Sequence, residues 1–489
     1  MVKFAAVLVF TALLQPSAAS EEQEQEQEQS EPCVYPSTDY PDCSAIDQEQ
    51  LPTNAYDPAA CVAKSCGQCY FDHSSGDGPG GGGTCVAFGG VSSTIYKYIV
   101  VGGGAAGSVV ADRLSAALEG SNDKVLLLEA GGPSAAALDG SDAPAEWAAL
   151  PSYDGTTTRF DMPGEYGNIA WTDDGSCCSQ YMQAESDFTW QPKVLGGGGM
   201  VNGALTMRPP AADLAEWPDG WQLHDLAPQF TKLEADLTLT ATPSTDGVQH
   251  GTDPRDAFEA GFAGAGYDFT GLDSDPDARA STYSRVQVTA VDGARQSSAT
   301  KYLPTAKLRA SLEVKTNAAA VRLLKSGDTV VGVHYDGGVA RLASGGRVVL
   351  TAGALATPAL LQLSGIGPAS ALKELYQSDL LDDPHNLCGA DSTTSLGCDD
   401  LTEGGAAALA AFDSDDISDT HWVENDAVGA GLSDHTMTRL TFRKPGLVGF
   451  DASARAANAA QLAAYFTNRT GPYAQYAPLS VAYLSLIHI

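Results

Sequence analysis

The residues of this chain best suited to chemistry are a set of glycines and one acid. Gly102-Gly-Gly104-Ala105-Ala106-Gly107 has the spacing GxGxxG, and Glu129 follows roughly 20 residues on. Gly102 permits a tight turn, Gly104 lets backbone approach a pyrophosphate, and Gly107 lets a helix and a strand pack closely. The acid is placed to accept hydrogen bonds from the hydroxyls of an adenosine ribose. A second run, Gly196-Gly197-Gly198-Gly199, can expose backbone N–H groups in a concavity that suits an anionic phosphate. Its apolar flanks speak against a floppy linker. The histidines offer no comparable pattern. His73, His224, His250, His334, His385 and His421 lack a partner motif, and structural roles are expected for them. Cys66-Gly-Gln-Cys69 has the spacing of a redox or zinc pair, but no second CxxC and no suitably spaced histidine completes a metal site. No metal is expected.

Three elements must position the first glycines. Tyr96-Lys-Tyr-Ile-Val-Val101 predicts a buried strand running directly into the turn, Ser108 to Leu118 a helix, and Lys124-Val-Leu-Leu-Leu128 a second strand ending at Glu129. The helix N-terminus then faces the phosphates with unbonded N–H groups and a positive dipole end. Strand, glycines, helix, strand and acid in that order predict a Rossmann-like α/β dinucleotide-binding unit, with FAD and NAD both still open. Ser311-Leu-Glu-Val314, Val330-Val-Gly-Val-His334 and Arg347-Val-Val-Leu-Thr351 predict further strands, and the Asp- and Ala-rich stretch 380–419 reads as an inserted loop.

Composition narrows the class. At 489 residues the chain is long enough for two or more domains. It has 27 Lys plus Arg against 61 Asp plus Glu, a formal net charge of −34. That argues against nucleic acid or an anionic membrane as a partner, because a phosphate-binding face needs clustered cations. The N-terminus, with Lys3, the apolar stretch Phe4–Leu14 and small residues up to Ser20, reads as a secretory signal peptide over 1–20, and no apolar run reaches membrane-spanning length. An alternating Glu/Gln tract makes 21–32 an acidic disordered spacer. Six cysteines (Cys33, Cys43, Cys61, Cys66, Cys69, Cys85) crowd 33–90, which in an exported chain reads as a small disulfide-rich module of open connectivity. Cys388 and Cys398 are spaced to close a further loop, and Cys177-Cys178 has no assigned partner. Asn468-Arg-Thr470 is the one N-glycosylation sequon.

Two longer stretches then carry a resemblance. Lys193-Val-Leu195-Gly-Gly-Gly-Gly-Met-Val201-Asn202-Gly203-Ala204-Leu-Thr-Met-Arg208, continuing to Trp217 and Trp221, and Gly353-Ala-Leu-Ala-Thr-Pro358 through Ser364-Gly-Ile-Gly-Pro368 resemble the paired signatures of the glucose–methanol–choline (GMC) oxidoreductases. The likeness runs from about Tyr96 to Pro478, with Arg295–Pro304 and Leu312–Leu324 in the family's usual order. Within the family, Phe160-Asp-Met-Pro-Gly, Arg469-Thr-Gly and Ala474-Gln-Tyr-Ala-Pro are most similar to the flavodehydrogenase part of cellobiose dehydrogenases. The resemblance implies FAD bound by Gly102, Gly104, Ala105, Ala106 and Gly107, by Glu129 and Ala130, and by Ala320. Leu195, Gly196, Gly197, Gly198 and Gly199, then Val201, Asn202, Gly203 and Ala204, would wrap the pyrophosphate and approach the isoalloxazine ring. Some members carry a flavin-linked His where Val201 stands, so non-covalent FAD is expected. The family's more usual aromatic residue at Thr206, and Ser or Thr at Gly198 and Gly199, are missing, which leaves flavin-edge contacts open.

The implied fold is an FAD-binding α/β domain at 94–235 and 286–370, with a discontinuous α+β substrate domain carrying an antiparallel sheet at 236–285 and 371–483. The implied reaction is oxidation of a CH–OH group in a sugar or other alcohol by hydride transfer to flavin N5, with electrons passing to oxygen or a soluble acceptor. Family members use a late histidine as base, because its ordinary pKa lies close to operating pH. Asp434-His435 matches a different family motif. Leu484-Ser-Leu-Ile-His-Ile489 is the translation of CTG TCT CTT ATA CAC ATC, which is similar to a sequencing-adapter end. Residues 484–489 are therefore expected to be read-through, the substrate domain incomplete, the catalytic histidine beyond this chain, and the chain itself inactive with loosely held FAD. The competing reading of that end is a genuine strand. Two rival functions stand beside the oxidoreductase: a non-catalytic, glycan-binding protein and a flavin lyase on the same scaffold. Oligomeric state is open.

Overall fold

A computed structural model describes residues 94–169, 189–272, 276–326, 329–377, 423–433, 450–476 and 480–483, with short strands at 7–9, 69–72, 84–87 and 182–186 and a turn at 445–446. The acidic spacer, most of the signal and cysteine segments, Cys177-Cys178, the 380–419 stretch with Cys388 and Cys398, His435 and residues 484–489 lie outside the described residues.

The central elements, in chain order, are β1 (Ile95–Val101), α1 (Ala105–Ala117), β2 (Val125–Leu128), α2 (Ser298–Ala306), β3 (Leu312–Lys315), β4 (Ala320–Ser326), β5 (Thr329–Tyr335), β6 (Gly338–Leu350) and α3 (Gly353–Leu363). The strands form one six-stranded sheet in the order β3-β2-β1-β6-β5-β4. The first three contacts are parallel and the last two antiparallel. The first βα unit thus lies at the centre, the arrangement that opens a crevice at the carboxyl ends of the parallel strands.

The apolar runs that predict buried strands are explained by cover on both faces. Ile99, Val101, Leu126 and Leu128 pack with Leu360 of α3 on one side. Val100, Val125 and Leu127 pack with Ala111 of α1 and with Ala299, Leu303 and Ala306 of α2 on the other. Alternate residues point to opposite faces, and with helices on each face neither set can be polar. Strand β6 serves two neighbours. Its first half pairs antiparallel with β5, Arg347–Leu350 pair parallel with Tyr98–Val101, and the register breaks between Leu342 and Arg347. Gly345, at φ +66°, sits in that break, where a bulge residue in the left-handed region favours glycine.

The remaining strands do not form the single antiparallel substrate sheet expected at 236–285 and 371–483. Gln287–Val291 pairs antiparallel with Leu205–Thr206, Leu239–Thr240 and Ala294–Arg295. Ser480–Tyr483 pairs antiparallel with Thr282–Arg285 and with Val7–Val9, but Asp268–Leu272 runs parallel to Thr282–Arg285. The connection between those two carries the 3-10 turn Pro276–Ala278 in place of a hairpin turn, so the chain re-enters in its original direction and this sheet is mixed. In the cysteine segment, Cys69–Asp72 and Thr84–Ala87 form an antiparallel hairpin in which Cys85 faces Phe71, not Cys69.

Candidate functional site

The turn after β1 takes the form its glycines predict. Gly102 has φ +98°, and a Cβ there would lie 2.4 Å from the Thr351 carbonyl oxygen. A Cβ on Gly107 would lie 1.9 Å from the Gly102 oxygen, so any larger residue would force α1 away from the turn. Helix α1 starts at Ala105 with no side-chain cap on Gly104, and its first helical bond is Ser108 N–H to the Gly104 oxygen. The N–H groups of Ala105, Ala106 and Gly107 therefore have no acceptor within the helix. Ala105 and Ala106 are exposed, which leaves this positive dipole end open to an anion.

The second glycine run, some ninety positions along the chain, closes on the first. A Cβ on Gly197, which has φ +53°, would lie 3.0 Å from the Gly104 Cα, and Gly196 N–H donates to the Gly103 oxygen at 2.9 Å. Gly198–Val201 form a single helical turn with Gly198 exposed and open space around it. The run is thus an ordered second wall, not a linker. Leu195 anchors it: its N–H donates to the Gly132 oxygen, and its carbonyl accepts from Ser134 Oγ at 2.7 Å.

Glu129 is buried at the end of β2. One carboxylate oxygen accepts from Gly103 N–H and the other from Gly131 N–H, each at 2.8 Å. Burial raises its pKa above the ordinary carboxyl value, opposed by those two hydrogen bonds and by the Lys193 charge. Each oxygen keeps a lone pair for a ribose hydroxyl. Neighbouring Ala130 is half-buried. The Asn317 and Ala318 N–H groups donate to the Gly131 and Glu129 carbonyls, so these two residues make the contact on the far side of the acid. Ala320, two positions on, pairs with Tyr335 and packs against the sheet core.

At the other end of the second wall the exposed Asn202 caps the turn. Its N–H donates to the Gly198 oxygen, and its Oδ1 accepts from Ala204 N–H at 3.0 Å. That bond holds Ala204 at φ +58°, a left-handed conformation that costs a non-glycine residue about 1–2 kcal/mol and that clusters at functional sites. Gly203 lies against Leu205 and Tyr166, and Val201 packs beside Met200.

Two residues of the site had no assigned role in the sequence. Thr351 Oγ1 donates within reach of both the Val101 and Gly102 oxygens, at 2.9 Å each, and braces the glycine turn from β6. Arg295 is 3% exposed, and its Nη1 donates to the carbonyls of Gly199 (3.1 Å) and Asn202 (2.7 Å) and to Asn202 Oδ1 (3.2 Å). Arg295 opens a stretch that fits the family order, and Thr351 ends a predicted strand; those were the available signals. The three described histidines make none of the cradle's contacts. His224 is exposed beside Asp225, His250 pairs with Asp246, and His334 is buried in β5 with its pKa pushed down to about 4 by burial and the Arg322 charge. Trp217 and Trp221 are half-exposed at the surface. Among the described residues no group of three or more His, Cys, Asp or Glu is placed to hold a metal, and no helix is long and apolar enough to cross a membrane.

Comparison with known proteins identifies the scaffold. The family model described as GMC oxidoreductase matches residues 96–437. Oxygen-dependent choline dehydrogenase of Ectopseudomonas mendocina is 33% identical over 305 residues, covering 57% of this chain and 49% of the relative. Glucose dehydrogenase (FAD, quinone) of Drosophila melanogaster is 32% identical over 318 residues, covering 60% and 46%. Chloroplastic fatty acid photodecarboxylase of Chlamydomonas reinhardtii is 32% identical over 314 residues, covering 59% and 47%. The chain spans about half the length of these curated relatives.

Proposed function

The chain belongs to the GMC oxidoreductase family, and from that premise we propose that the whole protein is an FAD-dependent oxidoreductase of CH–OH groups in sugars or other alcohols. The observation that carries this reading is the meeting of the two glycine loops, Gly104 against Gly197, beside the open N-terminus of α1 and the buried Glu129. A Cβ at Gly197 would crowd the opposite wall. The donor set fits an adenine dinucleotide: N–H groups of Ala105 to Gly107 for the pyrophosphate, and the Glu129 oxygens for the ribose. FAD, when bound, supplies a two-electron acceptor for alcohol oxidation.

The protein's own part is to bind and orient. Asn202 and the strained Ala204 backbone fix the ring end of the cradle, and Val201 offers no nucleophile, so the cofactor is held non-covalently. The choline and glucose dehydrogenases matched above act on small alcohols by name, which supports the substrate class. Oxygen or a soluble acceptor would take the electrons. A histidine would remove the hydroxyl proton. Export, disulfides in 33–90, a glycan at Asn468 and a likeness to cellobiose dehydrogenases belong to the same proposal.

One observation favours a second reading, a flavin lyase on this scaffold: the fatty acid photodecarboxylase is as similar in sequence as the glucose dehydrogenase. Anaerobic mixing of the whole protein with a panel of sugars and primary alcohols separates the two. Loss of the oxidised flavin band on mixing in the dark supports the oxidoreductase. An unchanged band with light-dependent decarboxylation of a fatty acid would transfer support to the lyase.

A further inference from the structure

The buried charge of Arg295 has no carboxylate partner among the described residues. The nearest acid contact is with backbone, since Arg295 N–H donates to the Asp161 carbonyl. One Asp161 carboxylate oxygen accepts from Thr158 N–H (2.9 Å), Thr158 Oγ1 (2.7 Å) and Ala136 N–H (3.1 Å), so that its charge acts on Arg295 only from a distance. Arg295 Nε and Nη2 are buried with no hydrogen-bond acceptor, and so is the hydroxyl of Tyr476, whose ring centre lies 5.2 Å from the guanidinium carbon. Tyr166 meets the Tyr476 ring edge-on at 5.6 Å and closes the cage. Its remaining protein contacts are the carbonyls of Gly199 and Asn202 and the amide oxygen of Asn202.

Burying a cation with no carboxylate in direct contact is costly and calls for compensation, of which the more distant Asp161 charge supplies part. Carbonyl dipoles and an aromatic face supply part of it. The rest can come from an anion on the far side of the turn that Arg295 holds, and the turn faces the cradle. We propose that Arg295 is a positioning residue that sets the Gly199–Asn202 turn against the flavin ring and makes the site prefer the reduced, anionic form of the cofactor. This rests on the FAD-site reading above. It differs from general phosphate binding in one respect: the pyrophosphate has the same charge in both redox states, whereas the two-electron-reduced ring gains a negative charge in mildly alkaline solution.

The test is a binding ratio. The full chain is titrated anaerobically with oxidised FAD and with dithionite-reduced FAD at mildly alkaline pH, for the wild type, Arg295→Lys, Arg295→Gln and Arg295→Met. The wild type should bind reduced FAD more tightly, Arg295→Lys should keep most of that preference, and the two neutral variants should lose about tenfold of it. A tenfold change corresponds to about 30 mV in the two-electron potential of the bound cofactor. Arg295→Gln keeps a hydrogen-bond donor, so it stands in if Arg295→Met fails to fold. A preference unchanged in either folded neutral variant, or equal weakening for both redox forms, would overturn the proposal. If the wild type shows no saturable binding of either form even at FAD concentrations high enough to fill a loose site, the FAD-site reading fails, a result distinct from an unchanged ratio.

Discussion

Replacing Gly197 by alanine separates two effects that the structure superimposes at one residue. The first is backbone strain: at φ +53° and ψ −140°, a sparsely populated conformation, a side chain costs about 1–3 kcal/mol. The second is a collision, because the new Cβ would sit 3.0 Å from the Gly104 Cα, inside the ~3.5–4.0 Å at which carbon atoms rest. Relief requires the two loops to part by a few tenths of an ångström, which strains the 2.9 Å bond from Gly196 N–H to the Gly103 oxygen. A hydrogen bond of this kind contributes about 1 kcal/mol, and about 1.4 kcal/mol is tenfold in affinity. Gly120→Ala is the matched control, since Gly120 has φ +83° and nothing within 4 Å of its would-be Cβ. Thermal unfolding of the ligand-free chain should fall in both variants, and further in Gly197→Ala, which also strains the Gly196–Gly103 bond. Titration with FAD should show about a tenfold weaker affinity for Gly197→Ala alone. Equal FAD affinity in the two variants would refute the claim that the loops form one wall-to-wall cradle.

Two other outcomes follow from the same geometry. Burial raises the Glu129 pKa above 4.5, so its contribution to the ligand-free fold is full below about pH 4.5 and is lost as pH rises through the raised value. Glu129→Gln removes that dependence. Its melting temperature relative to wild type should therefore improve steadily from pH 4 to pH 7 (about the span of an acid titration), and a trend in the opposite direction would refute burial as the dominant cause. Asn468 is exposed at the end of the helix Ala459–Asn468. Chain secreted from a eukaryotic host should lose one electrophoretic step on glycosidase treatment, and Asn468→Gln should remove that step; an unshifted wild type would refute glycosylation there.

What could be read from the sequence was local. The strands Tyr96–Val101 and Lys124–Leu128 were visible because both faces of each strand are covered, which leaves an unbroken apolar run. The GxGxxG turn was visible because three separate steric demands fall within six consecutive residues. The second glycine run was legible as a phosphate-facing loop, but its contact with Gly104 was not, since the pairing of distant loops leaves no periodic trace. Glu129 was placed correctly at its strand end, while the two N–H groups that hold it depend on the tertiary fold. Thr351 and Arg295 act through backbone carbonyls of other segments, and such a role imposes no spacing on their neighbours. The parallel entry of Asp268–Leu272 into its sheet was missed because strand direction is set by the connection, which carries the 3-10 turn Pro276–Ala278 where an antiparallel pair would have a hairpin turn.

The central claim is that the two glycine loops and Glu129 form a site for the ADP half of FAD. Calorimetric titration of the chain with FAD, ADP and FMN tests it most directly. The account predicts that FAD binds, that ADP competes with it, and that FMN, which lacks the adenosine and the pyrophosphate, does not. Binding of FMN as tight as that of FAD, or no competition by ADP, would contradict it.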